Sequence, residues 1–116
     1  MIQNIVYSLK PLAWIASSLE AVRTFPDSAR RSIGSQLLRV QRGLEPADWR
    51  PMPLVGPGVV EIRVHGGREY RVLYVARFAE AIYVLHAFDK RTRQTRQLDL
   101  AVARKRLRDL ERWRDT

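Results

Sequence analysis

The residues best placed to do chemistry are cations inside apolar, strand-like runs. Arg63 lies in residues 59–64, where Val60, Ile62 and Val64 take one face of a period-two pattern and Glu61 and Arg63 the other. Arg71 sits between Tyr70 and Val72. Lys90 and Arg91 stand where a third apolar run, residues 81–88, gives out. His86, Phe88 and Lys90 share a parity along that run and project from one face if the strand continues. Guanidinium groups grip phosphate bidentately and a ring can stack on a base, so cations beside an aromatic are what an RNA-binding cleft requires. Each residue also has a structural reading. Arg63 can pair with Glu61 or Glu69, His86 can fill a core or line a sheet, and Phe88 can pack inside. Tyr70, Tyr74 and Tyr83 read as core.

Other chemistries find little support in the 116 residues. The absence of cysteine removes disulfides, thiolate metal sites and a cysteine nucleophile. Two histidines, His65 and His86, are too few for a His-rich metal cage, and no metal or cofactor is expected. There is no Walker loop, no G-x-S-x-G and no H-E-x-x-H. The run at 81–88 falls far short of the ~20 apolar residues that span a membrane, and residues 11–16 are too short for a signal-peptide core. A soluble, cytoplasmic protein is the default expectation.

The elements that must position these residues follow from pattern. Residues 11–16 predict a short strand entered through Pro11. Ser17 and Glu20 have capping-box spacing for a helix of about two turns. Phe25-Pro26 breaks it and opens a second helix, in which Ala29, Ile33, Leu37, Val40 and Leu44 form an apolar stripe ended by Gly43. The prolines and glycines of residues 45–58 predict an irregular surface loop. Strands at 59–64, 70–77 and 81–88 make an antiparallel meander, with Gly66-Gly67 as the first turn. Leu100, Ala103, Leu107, Leu110 and Trp113 predict a final helix over about 97–114. The expectation is a single α+β domain, residues 1–116, with an N-terminal arm at 1–10 and helices on one face of a small antiparallel sheet.

Glu61-Ile62-Arg63, Tyr70-Arg71-Val72-Leu73-Tyr74 and Leu85-His86-Ala87-Phe88-Asp89-Lys90-Arg91-Thr92 resemble, in order and spacing, the phage-derived, HigB-like branch of the RelE/ParE toxin superfamily. Phe25-Pro26, Val40-Gln41-Arg42-Gly43 and the tail 101–107 match the same branch, so the resemblance covers the chain from about Lys10. Two departures stand out. Arg91 replaces the second of two lysines usual after the Phe, and Arg96 stands where a Pro often follows the second Thr.

The resemblance implies a RelE-like toxin of a type II toxin–antitoxin system, a ribosome-dependent endoribonuclease that cuts mRNA without metal. Arg63 and Arg71 would then clamp phosphate. Lys90 would stabilise charge or donate a proton beside Arg91, and His86 is a second proton-transfer candidate. Arg68, Phe88, Arg93 and Arg96 would contact RNA. The implied partners are the ribosome with its mRNA and a cognate helix-turn-helix antitoxin, with DNA reached only through that antitoxin and no membrane involved. Two alternatives use the same fold: a ParE-like inhibitor of DNA gyrase, and an inactive phage-derived binding protein.

The charge agrees with a polyanionic partner. The chain carries 21 basic and 12 acidic residues, net +9, and 14 of the basic residues fall in residues 59–116.

Overall fold

The computed structural model describes residues 9–116, apart from the side chain of Thr95. The arm expected at 1–10 therefore lies almost wholly outside the described residues. The order is β1 (Leu12–Trp14), α1 (Ser18–Arg23), α2 (Asp27–Gln41), β2 (Trp49–Pro51), β3 (Val59–Gly66), β4 (Arg68–Val75), β5 (Ile82–Asp89) and α3 (Arg93–Arg114).

The architecture is α+β, but the sheet is mixed rather than antiparallel. Its order is β1-β5-β4-β3-β2. β1 runs parallel to β5, while β2, β3, β4 and β5 pair antiparallel in succession. The fifth strand, β2, comes from the stretch expected to be irregular. It is an edge strand, where Pro51 costs no interior ladder bond.

The helices also depart from expectation by covering both faces. Ala29, Ile33, Leu37 and Val40 of α2 pack with Ile62, Val64, Val72 and Val84 on one side. Ala103, Leu107 and Leu110 of α3 pack with Val59, Leu73, Val75 and Leu85 on the other. The cause lies in β4 and β5, whose apolar residues alternate little and must be covered on both faces. The alternation in β3 is as expected, yet the face holding Glu61 and Arg63 lies on the α3 side and not toward open water.

Local signals behave unevenly. Gly43 at φ +81° ends the α2 stripe, and Gly67 at φ +79° makes the tight β3–β4 turn. Leu44, read as the last member of the stripe, falls beyond the helix and is exposed. Ser17 makes no cap bond to α1. Its hydroxyl accepts instead from Arg106 Nη2 at 3.1 Å. A bulge in β5 leaves Leu85 between the pairs Leu73–His86 and Tyr74–Val84. The extra residue places Leu85 and His86 toward the same, α3-covered side.

Candidate functional site

At the end of the sheet beyond the first turn of α3, the backbone register brings the sequence-selected residues into one row. Arg63 on β3 stands opposite Arg71 on β4, and Arg71 stands opposite Phe88 on β5. The Lys90 amide donates to the Glu69 carbonyl at 2.7 Å, which ties the chain after β5 to the start of β4. Lys90 and Arg91 thereby join Arg68, Glu69 and Asp89 around an open depression of about 340 Å³.

The cations of this end differ sharply in how far they are neutralised. Arg71 is 2% exposed. Its Nη2 lies 3.0 Å from Glu69 Oε1, its Nη1 donates to the Tyr70 carbonyl at 3.0 Å, and its Nε is 3.7 Å from Glu61 Oε1. Glu61 is itself only 1% exposed and receives a second cation, with Arg96 Nη1 2.8 Å from Oε2. A buried carboxylate or guanidinium is tolerable only when paired, and here each supplies the other's partner. Arg71 is therefore held as a buried strut of an ion-pair network, and its guanidinium is not open to a phosphate in this arrangement. Arg96, expected to contact RNA, has its guanidinium turned inward to Glu61. Phe88, expected to contact RNA, is buried in the core between sheet and α3, with its ring centroid 5.5 Å from that of His86.

Arg63 is the contrasting case. It is half-buried and no carboxylate pairs with it among the described residues, although its Nε, like that of Arg71, is shielded from water without a hydrogen-bond partner. The half-buried Lys90 and the exposed Arg93 likewise have no acidic partner among the described residues. Arg68 and Arg91 are exposed and share one carboxylate, Asp89, at 2.9 and 3.6 Å. Asp89 holds the Arg68 guanidinium more firmly protonated through that hydrogen bond. The first turn of α3 contains no acidic residue, so its positive helix end adds to these charges.

Two histidines flank this row in opposite environments. His65 is exposed, with Nδ1 2.7 Å from Glu69 and Nε2 2.8 Å from Asp48. Hydrogen bonds to those two carboxylates raise its pKa, and the same contact with His65 lowers that of Glu69, with Arg71 adding to the effect. His86 lies under α3. Its Nε2 is 2.6 Å from Asp99 Oδ1, and Arg106 Nη1 approaches Nδ1 at 3.3 Å. An arginine only donates, so Nδ1 is the acceptor and Nε2–H points to Asp99. Arg106 Nη1 also donates at 2.9 Å to the carbonyl of Leu85, the bulged residue. Burial lowers the His86 pKa against the raising effect of Asp99. Both ring nitrogens are engaged, so this arrangement does not offer His86, expected as a proton-transfer candidate, to a substrate. Among the described residues, no group of His, Asp or Glu is arranged to hold a metal ion.

Sequence reasoning missed Arg50, which stands opposite Glu61 on β2, because the prolines around it hid the strand. It also missed Asp99 as the partner of His86. The spacing of 13 residues between them carries no local signal.

No described helix is long and apolar enough to cross a membrane. Comparison with curated proteins finds no match. Residues 20–108 match the family model described as "Phage derived protein Gp49-like (DUF891)". That span includes the whole row Arg63–Arg71–Phe88, the Lys90-Arg91 pair and the Glu61 network, and the chain belongs to the phage-derived Gp49-like family.

Proposed function

We propose that this protein is the toxin of a type II toxin–antitoxin module and that it cleaves mRNA on the ribosome. The observation that carries this reading is Arg63: a half-buried guanidinium with no carboxylate partner among the described residues, beside a buried arginine that has two. A fold that neutralises Arg71 and leaves Arg63 open favours an anion arriving from outside. Membership of the Gp49-like family and the motif order shared with RelE-type toxins support the same reading.

The chemistry needs only what these side chains supply. The RNA 2′-oxygen forms a bond to the adjacent phosphorus as the P–O5′ bond breaks, giving a 2′,3′-cyclic phosphate and a 5′-hydroxyl. The proton leaves the 2′-hydroxyl and one is delivered to O5′. Arg63 holds a non-bridging phosphate oxygen and stabilises the extra charge of the phosphorane. Lys90, with three rotatable donors, stabilises that charge or protonates O5′, and Arg91 sits beside it. Arg68 and Arg93 supply contacts to flanking phosphates. Arg71, Arg96 and Glu61 keep the row in place. The partner that restrains the activity is a helix-turn-helix antitoxin from the neighbouring reading frame.

Induced expression tests the proposal. Growth should arrest, and primer extension should map cuts inside translated messages. Arg63→Ala and Lys90→Ala should relieve the arrest while the protein stays folded. Normal growth and intact mRNA with soluble protein present would overturn the proposal. Arrest with intact mRNA and blocked supercoiling in a gyrase assay would replace it with the gyrase-inhibitor reading.

A further inference from the structure

Arg63 has an acid directly across the ladder, and the fold keeps the two apart. The β2–β3 register pairs Trp49 with Ile62 and Arg50 with Glu61, so one step further places Asp48 opposite Arg63 on the same face of the sheet. The Arg63 amide donates to the Asp48 carbonyl at 2.9 Å, which fixes that pairing. The Asp48 amide donates to Gln36 Oε1 on α2 at 3.2 Å, so the backbone is held from both sides and the carboxylate alone is left to turn. It turns to His65, with Oδ2 2.8 Å from Nε2, and not to Arg63.

The same pleat places His65 for this task. It lies two residues beyond Arg63 on β3, hence on the same face, and stands opposite Glu69 on β4. Both Glu69 carboxylate oxygens lie 2.7 Å from Nδ1, and Arg71 Nη2 lies 3.0 Å from Glu69 Oε1. The other charged groups at this end are Arg50 on β2 and Lys90 after β5, while α2 presents the neutral Gln36. Two carboxylates on one imidazole need two N–H donors, and only the protonated ring has both. A neutral ring keeps one N–H. It stays with Glu69, whose two oxygens hold Nδ1, and the bare Nε2 then repels Asp48. The guanidinium across the ladder from the freed carboxylate is that of Arg63, since Arg50 stands opposite Glu61.

We infer that His65 is a positioning residue that, while protonated, draws the Asp48 carboxylate away from Arg63 and keeps that guanidinium open to phosphate. The inference deepens the proposed function and rests on its reading of Arg63. Loss of the proton turns Asp48 into an internal competitor, which delivers a carboxylate where a phosphate oxygen would sit. Because both carboxylates favour the charged ring, the His65 pKa lies above the ordinary ~6.5, and the site closes as pH rises through that higher value. His65 itself need touch no reacting atom; it acts through Asp48.

The test uses the full chain in two ways. Binding of a short single-stranded oligoribonucleotide is followed by fluorescence anisotropy across the His65 titration, and the His65 ring and Arg63 guanidinium are followed by NMR without ligand. Wild-type affinity should fall roughly tenfold as His65 loses its proton, the effect of one charge-assisted hydrogen bond. His65→Ala should show the weakened affinity at every pH, and adding Asp48→Asn should restore it, which a merely structural loss would not allow. Asp48→Asn alone should keep the low-pH affinity of the wild type and lose the pH dependence. In the ligand-free protein the Arg63 resonance should shift with the His65 midpoint, and the shift should vanish in Asp48→Asn. An Arg63 resonance indifferent to His65, a shift that survives Asp48→Asn, or a His65→Ala defect that Asp48→Asn does not rescue overturns the inference. So does a shift at Arg50 in place of Arg63. If the resonance shifts as expected while Arg63→Ala binds RNA as the wild type does, the Asp48 switch stands and the phosphate reading of Arg63 fails.

Discussion

Arg63 and Arg71 are partners across one rung of the β3–β4 ladder, yet they do opposite things. Arg71 is closed in by Glu61, Glu69 and a backbone carbonyl, while Arg63 has no carboxylate partner among the described residues. The comparison separates two regions of the same charged end. The inner one is an ionic network whose charges cancel and whose value is shape. Outside it lie Arg63 on β3 and, separately, the depression lined by Arg68, Lys90 and Arg91 with Glu69 and Asp89, where positive charge exceeds negative. Cation count alone would merge the two, because a guanidinium's role is set by the carboxylates within reach and not by its own type.

The largest effect that could break this comparison is on stability. Glu61→Ala leaves Arg71 with Glu69 only and Arg96 with nothing acidic, so unfolding free energy should fall by about 3 kcal/mol, the lower end for a broken buried pair. Urea denaturation measures it. A loss under 1 kcal/mol would mean the network is not the strut described. Arg63→Ala should do the reverse. Stability should change by less than about 1 kcal/mol, while RNA cleavage should fall by roughly 10²–10³, the usual cost of one charge-stabilising donor.

Smaller effects distinguish the two histidines by sign. The folded-state pKa of His65 is raised by Glu69 and Asp48, so its contribution is complete below the unfolded value of ~6.5 and is lost as pH rises through the higher folded value. The folded-state pKa of His86 is lowered by burial, so stability is lost as pH falls below ~6.5 toward the lower folded value. Melts from pH 5 to 8 should therefore lose their alkaline slope in His65→Asn and keep their acidic one. The reverse outcome would exchange the two environments. Smallest of all is Arg68→Gln, which removes an exposed, solvent-screened ion pair with Asp89 and should leave stability essentially unchanged. Its expected consequence is a shallower salt dependence of RNA binding, by roughly 0.7 in log–log slope.

Much of the fold was legible because its signals are local. The α2 stripe, the period-two pattern of β3 and the Gly67 turn depend on neighbours a few residues away, and each element lies within a few residues of its expected place. The unread features depend on distant pairings. Nothing in residues 11–16 specifies that β1 lies parallel to β5, and an apolar stripe on α3 does not say which sheet face it will cover. The same limit explains the site. Arg63, Lys90 and Arg91 could be picked out by type and position. The neutralisation of Arg71 and Arg96 could not, because Glu61 lies diagonally across one strand pair from Arg71 and 35 positions before Arg96. The turn of His86 under α3 needed both the Leu85 bulge and Asp99.

The most direct measurement is cleavage of an mRNA on purified, programmed ribosomes, comparing wild type with Arg63→Ala and reading the chemistry of the new ends. The prediction is a cut that leaves a 2′,3′-cyclic phosphate and a 5′-hydroxyl, weakened at least a hundredfold in folded Arg63→Ala. Intact mRNA with the wild type, or full activity in Arg63→Ala, would contradict it.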